Sequence, residues 1–121
     1  MVIEMDLKQL RAEMEALLAA NPRLTAFGII DDPDQDDRDT MLAPRALEAF
    51  AKARQWFRKF EKLPQVNRDG NSRALKVRAV KAIGHATDGM IIAAALAEGF
   101  TITRQNRTPN VFINVSSDAL K

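Results

Sequence analysis

The chain has 121 residues, 46% of them hydrophobic and 28% charged, which is typical of one globular domain with its own core. It has no cysteine, so disulfides, thiolate metal sites and a thiol nucleophile are excluded. The net charge of +2 hides an asymmetry, because residues 1–50 hold 5 basic and 11 acidic side chains whereas residues 51–121 hold 13 and 5. Such an asymmetry is typical of a nucleic-acid surface on the basic half, or of two halves that attract each other.

The N-terminus lacks the basic and then apolar order of a signal peptide, and no apolar run reaches the length of about 20 residues that crosses a bilayer. We therefore expect a cytoplasmic protein with no membrane partner.

Apolar residues at helical spacing predict an amphipathic helix over 5–20, which Asn21-Pro22 would end. The apolar face of this helix could also serve as a short homodimer seam. Residues 24–30 are predicted to form a short buried strand, although Gly28 weakens the pattern.

Six aspartates fall within residues 31–39, directly after that strand. Three of them have the first spacings of a calcium-binding loop, but Asp37 stands where that loop needs glycine and Ala43 where it needs glutamate. We therefore predict no metal site, and we expect a solvated or partner-binding acidic loop. The candidate partner-binding residues are Asp34, Asp36 and Asp37.

Residues 44–62 form the clearest amphipathic helix pattern, with a proline near its first turn. One arc is apolar and is expected to lie in the core: Leu47, Phe50, Ala53, Trp56, Phe57 and Phe60. The opposite arc holds five basic residues, which are either solvated or face phosphates: Lys52, Arg54, Arg58, Lys59 and Lys62.

An Asp-Gly turn signal predicts a loop over 65–72, with Ser72 as the N-cap of a helix over 73–83. That helix has several basic residues and no acid, and Gly84 would end it. Its expected core side is Leu75, Ala79, Ala82 and Ile83.

The next helix, over 88–98, has no basic residue and is apolar on every side from Met90 to Ala97, so it must be covered all round and form the centre of the fold. Thr87 or Asp88 would cap it.

Period-two patterns then predict strands over 100–104 and 111–115 with a hairpin loop between them, while the tail 116–121 is expected to be frayed. We predict a single, mainly helical α+β domain of four helices with a C-terminal β-hairpin. Residues 66–116 would be a helix-turn-helix-hairpin unit, preceded by the helices, strand and acidic loop of residues 1–65. This order is that of a winged helix-turn-helix.

In that arrangement the helix over 88–98 would be the recognition helix, but it lacks the Arg, Asn or Gln side chains that read base edges. DNA contacts are therefore expected from basic residues elsewhere, which hold phosphates well and specify sequence poorly. The candidate nucleic-acid-binding residues are Arg68, Arg73, Lys76, Arg78, Lys81, Arg104 and Arg107.

A pattern of residues within 66–116 resembles that of a family of small uncharacterised proteins of plasmids and other mobile elements. The matching residues are Asn67-Arg68, Ser72, Leu75-Lys76, Gly89, Ile92-Ala93-Ala94-Ala95-Leu96, Gly99-Phe100, Arg104, Pro109-Asn110, Phe112, Asn114 and Ser116. The chain departs from the pattern at Val77 and Arg78, where the family has a more polar, aromatic helix start. The resemblance implies a mobile-element or phage-related setting and no particular activity.

An enzyme is not expected, and no catalytic residue or cofactor is predicted. The only histidine, His85, stands in a predicted turn without a cysteine or a second histidine to complete a metal site. The leading hypothesis is a small DNA-binding, regulatory protein of a mobile element that uses its basic C-terminal half. The alternative is a protein-interaction module, an inhibitor or accessory factor, that docks its acidic loop 31–39 on a basic partner.

Overall fold

The computed structural model describes residues 6–121. Its helices are α1 (Leu7–Ala20), α2 (Gln35–Asp39), α3 (Pro44–Phe57), α4 (Ser72–Ile83) and α5 (Asp88–Ala97), with 3-10 turns at Thr40–Leu42 and Ser117–Leu120. Its strands are β1 (Leu24–Thr25), β2 (Gly28–Ile29), β3 (Lys62–Asn71), β4 (Ile102–Arg104) and β5 (Val111–Val115). The α+β class is confirmed, but the predicted count of four helices is wrong, because α2 forms inside the acidic segment.

Helix α5 is the buried centre of the fold, as its composition predicts. Every residue from Gly89 to Ala95 is buried, and α5 packs against α1, α3, α4 and β2. Thr87 caps the helix, because its Oγ1 accepts a hydrogen bond from the Met90 amide at 3.2 Å. A Cβ atom at position 89 would lie 1.9 Å from the Thr25 carbonyl oxygen, so the approach of the chain there requires glycine.

Within residues 6–121, no single helix combines the length and apolar character needed to cross a membrane; α4 and α5 meet that test only when taken together, across a bend of 87°.

Helix α1 begins at Leu7 behind its N-cap Asp6, and the predicted start at residue 5 lies outside the described residues. Its apolar face is buried inside the chain at Leu10, Met14 and Leu18. Because α3 and α5 already cover this face, α1 cannot supply the homodimer seam that its spacing allowed.

The prediction of one strand over 24–30 is wrong. Gly28 has a φ of +111°, a conformation that favours glycine, and the chain reverses there. Strands β1 and β2 therefore pair antiparallel, with Leu24 opposite Ile29.

The acidic segment is more ordered than a solvated loop. Asp34 caps α2 by accepting a hydrogen bond from the Asp36 amide at 2.9 Å. The Asp37 carbonyl accepts from the Ala26 amide at 3.0 Å, which fixes α2 against the β1–β2 hairpin. Part of the acidic charge therefore stabilises local structure.

The helix predicted over 44–62 ends at Phe57, and the loop predicted over 65–72 is mostly strand. Strand β3 pairs antiparallel with β5, which also pairs with β4, so the sheet order is β3–β5–β4. The register of β3 shifts on either side of Asn67, whose side-chain amide donates to the Val115 carbonyl at 3.0 Å. Residues 65–71 therefore form a strand despite their local turn signals, because they pair with β5, which is distant in the chain.

Helix α4 begins one residue earlier than predicted. Its N-cap is Asn71, which accepts from the Ala74 amide at 3.0 Å, and not Ser72. The buried hydroxyl of Ser72 accepts instead from the Val111 amide at 3.0 Å. The start of α4 is thereby tied to β5.

Most of the predicted core side of α4 is confirmed. Leu75 and Ala79 are buried and Ile83 is half-buried, but Ala82 is exposed. Gly84 ends the helix with a φ of +95°.

The C-terminal tail is ordered, so the prediction of fraying is wrong. Ala119 is buried in the core, and the Ser116 hydroxyl accepts from the Asp118 amide at 3.2 Å. Leu120 lies over Gly70, where a Cβ atom would approach a leucine methyl carbon to 2.6 Å. The tail closes the end of the β-sheet beside α4.

Candidate nucleic-acid interface

The solvent face of α4 carries three of the predicted binding residues. Arg73, Arg78 and Lys81 are exposed, and Val77 on the same face is 53% exposed. Arg73, Val77 and Lys81 recur every four residues, so they share one stripe about 12 Å long at 1.5 Å of rise per residue. The chain thus presents a short basic ridge to solvent.

Beside this ridge, a groove runs between α3 and α4, and we call it the basic groove. It consists of two adjoining depressions of about 310 and 380 Å³ that share Trp56 and Ala82. The cations that line it come from α3, from the turn after α3, from α4 and from the C-terminal end of the chain: Lys52, Lys59, Arg78, Lys81 and Lys121. Its apolar floor includes Trp56, whose ring makes edge contacts with those of Phe57 and Phe60 at 5.1 and 4.9 Å. Trp56 is therefore a packed core residue and not a platform for stacking bases.

The charges of this surface are largely unneutralised. Of the eleven lysines and arginines without an ion pair within residues 6–121, five lie on this surface: Lys52, Lys59, Arg73, Arg78 and Lys81. The one carboxylate that lines the basic groove, that of Asp118, pairs with Lys121 at 3.0 Å. A set of unpaired cations on one surface creates a positive potential that attracts anions.

Two residues of the predicted basic arc of α3 serve the fold instead. Arg54 is buried and pairs with Glu13 and Glu98, each at 2.7 Å, and Arg58 pairs with Glu98 at 2.7 Å. Burial alone would raise the pKa of Glu98, but hydrogen bonds from Arg58 and Arg54 outweigh it and hold that pKa below its ordinary value. The expectation that Arg54 faces solvent or phosphate is wrong, because α1 and the end of α5 cover that part of α3.

Arg104, predicted to contact DNA from the hairpin, fastens the hairpin to the N-terminal segment. Its guanidinium donates to the carbonyls of Thr108 and Ile29, at 2.9 and 3.2 Å, and pairs with Asp31. The hydrogen bond from Arg104 lowers the pKa of the Asp31 carboxyl. Arg107, in the hairpin loop, is exposed.

The two remaining candidates, Arg68 and Lys76, differ in how far solvent reaches their side chains. Arg68 is exposed on β3, with its guanidinium 5.1 Å from the centre of the Phe112 ring. Lys76 is half-buried, with its Nζ 3.7 Å from a carboxylate oxygen of Asp88. Lys76 is therefore less accessible to a phosphate than the three exposed cations of α4.

The hairpin loop and the start of α4 lie side by side. The side-chain amide of Asn71, the N-cap of α4, donates to the Gln105 side chain at 2.7 Å. The hairpin loop that carries Arg107 is thus held next to the end of α4 that carries Arg73.

No protein-family model matches the chain. Neither a curated protein nor a solved structure matches it. The resemblance to proteins of mobile elements therefore stays a prediction.

The three candidate partner-binding aspartates differ in their contacts and exposure. Asp34 caps α2, Asp37 is half-buried, and Asp36 is exposed. In the described part of the chain, residues 6–121, no three histidine, aspartate or glutamate side chains are grouped so that they could hold a metal ion.

Lys52 and Lys59 were missing from the candidate residues, although the sequence carries a signal for them. They stand seven residues apart and so fall on the same arc of a helix, opposite the aromatic arc. What the sequence could not show is that this arc faces α4, which makes the two lysines part of one surface with Arg78 and Lys81.

Proposed function

We propose that this protein binds duplex DNA through its phosphates, with the exposed face of α4 and the basic groove as the contact surface. The observation that carries the proposal is a group of five cations on α3, on the turn after it and on α4, none of which has an ion pair within residues 6–121. Lysine and arginine side chains on such a surface release counterions from DNA, and this release drives sequence-independent binding.

We further propose that residues 44–115 form a winged-helix-like unit. The element order α3, β3, α4, α5, β4, β5 and the sheet order β3–β5–β4 support this reading. So does the bend of 87° between α4 and α5, which is close to the angle of helix-turn-helix pairs. In this reading the β4–β5 hairpin is the wing.

Buried α5 sets the mode of binding. A recognition helix needs polar side chains in the major groove, whereas α5 is buried from Gly89 to Ala95. We therefore propose contacts to phosphates and little readout of base edges. A non-enzymatic regulatory or architectural role in a mobile element is consistent with this mode.

The test is fluorescence anisotropy with a mixed-sequence duplex between 50 and 200 mM salt. If five cations each neutralise one phosphate, affinity falls about 500-fold over this range, with a log–log slope of about −4.5. Replacing Arg73, Arg78 and Lys81 together by glutamine leaves two contacts, so the slope falls to about −1.8 and the loss to about 12-fold.

The matched control removes the same charge from another surface. Lys8, Arg11 and Arg23 are exposed, and all three change to glutamine. The control variant keeps the slope of the unmodified protein. Binding that does not depend on salt, or an equal loss in both triple variants, contradicts the proposed surface.

The acidic-loop alternative stays a prediction. The Asp34 side chain already caps α2, which accounts for part of the acidic composition without a partner.

A further inference from the structure

A cavity of about 220 Å³ opens where the start of α3, the β1–β2 hairpin and the turn between α4 and α5 meet. We call it the α3 cavity. Its walls are mostly alanine and methionine side chains, among them Ala26, Met41, Ala46 and Met90. Arg45 and His85, both exposed, also line it. The cavity thus has an apolar interior with a cation at its rim.

An exposed aromatic side chain stands directly beside this cavity. Phe27 follows Ala26 in the chain, at the tip of the β1–β2 hairpin, and is 61% exposed, more than any other large hydrophobic residue among 6–121. A phenylalanine on the surface of a soluble domain leaves a large apolar area in water. Among the exposed large hydrophobic residues described, Phe27 therefore removes the most apolar area from water if a partner surface covers it.

The hairpin holds Phe27 in a fixed position. Its amide donates to the Thr25 hydroxyl at 3.1 Å, and that hydroxyl donates to the Gly28 carbonyl at 3.0 Å. The Ala26 carbonyl accepts from the Gly89 amide of α5 at 3.0 Å. Because the backbone of Phe27 is already ordered, burial of this residue costs side-chain entropy only.

Charged side chains of both signs flank Phe27 and the α3 cavity. Helix α2, fixed to the hairpin at Ala26, carries the exposed carboxylates of Asp36 and Asp39 near the anchor. Arg45 stands at the cavity rim. A copy that inserts its anchor into the cavity of another copy brings these carboxylates towards that arginine.

We propose that two copies of this chain associate with two-fold symmetry, each placing Phe27 in the α3 cavity of the other. A two-fold interface uses the same patch on both copies, so the inserted side chain and the cavity must be neighbours. Phe27 meets this condition because it directly follows Ala26 of the cavity wall. The size also fits, since a cavity of about 150 Å³ is enough to hold benzene. This inference does not depend on DNA binding, because no residue that lines the α3 cavity also lines the basic groove.

The test is sedimentation velocity of the full chain across a range of concentrations, with circular dichroism to verify folding. The unmodified chain is expected to be dimeric at tens of micromolar. Phe27→Ser removes two anchors per dimer and should weaken the dimer at least about 100-fold. Ala46→Leu keeps the anchor but fills part of the cavity, and should also give a monomer. Arg45→Glu should weaken the dimer less than Phe27→Ser.

Two other exposed apolar residues provide matched controls, Leu7 at 42% and Val77 at 53% exposed. Leu7→Ser and Val77→Ser should leave the dimer unchanged. A chain that is monomeric at 100 micromolar overturns the proposal. So does a dimer that survives both Phe27→Ser and Ala46→Leu, or one that dissociates with Val77→Ser alone.

Discussion

Replacing Arg54 by alanine removes the guanidinium that joins α3 to α1 and to the end of α5. The Arg54 side chain is 9% exposed and pairs with Glu98, 12% exposed, and with Glu13, 40% exposed, at 2.7 Å each. The change leaves the Glu98 carboxylate with Arg58 as its remaining ion-pair partner and removes buried side-chain volume beside Phe50.

The expected loss of stability is about 3 kcal/mol, the lower end of the range for breaking a buried ion pair. The lower end applies because Arg58 still compensates Glu98, and because the half-exposed Glu13 is screened by water. For a chain of this length, 1 kcal/mol shifts Tm by about 4 °C, so the Tm should fall by about 12 °C.

The assay is thermal and urea unfolding followed by circular dichroism, with Arg11→Ala as the control. Arg11 also pairs with a glutamate, Glu15 at 3.5 Å, but both side chains are more than half exposed. That pair should contribute no more than about 0.5 kcal/mol, or about 2 °C. Equal losses of Tm in the two variants would refute the claim that the buried network stabilises the helix packing.

Further predictions concern the start of α5 and the carboxylate of Glu98. Gly89→Ala places a Cβ atom 1.9 Å from the Thr25 carbonyl oxygen, so unfolding in urea should show a loss of about 3 kcal/mol or more. Thr87→Ala should lose about 1 kcal/mol of helix capping, measured in the same way, whereas Thr87→Ser should keep most of it. Because pairing lowers the folded-state pKa of Glu98 from 4.5, its contribution is fully present above pH 4.5 and is lost as pH falls through the lowered value. A scan of Tm against pH should therefore fall more steeply in acid for the unmodified chain than for Glu98→Gln, and parallel curves would contradict this assignment.

The sequence predicted well wherever one element's own composition decides its environment. The uniform apolar character of α5 could be satisfied only by burial, and Thr87, which caps it, was one of the two residues that the sequence offered for that position. The aromatic arc of α3 was placed correctly in the core for the same reason. The paired strands β4 and β5 follow from alternation in their own residues.

The sequence predicted poorly wherever a distant partner decides. Strand β3 carries turn-forming residues and becomes a strand because β5 offers it backbone hydrogen bonds. The sequence suggested that Arg54 and Arg104 face solvent or phosphates. In the fold, Arg54 pairs with glutamates and Arg104 donates to the Ile29 carbonyl, and these partners lie in remote segments. No local pattern identifies such partners, since they depend on how the chain folds back on itself.

For the candidate surfaces, too, composition decided some features and tertiary packing decided the others. By itself, the sequence determined that the C-terminal half carries the excess of basic charge and that the helix over 88–98 is unsuited to reading bases. Only the tertiary structure decided which cations stay unpaired, because ion pairing depends on which segments meet. Packing of α4 against α3 brings Lys52 and Lys59 together with Arg78 and Lys81, and packing of the hairpin on α5 places Phe27 beside the α3 cavity. These juxtapositions join residues far apart in the chain, so they exist only once the chain is folded.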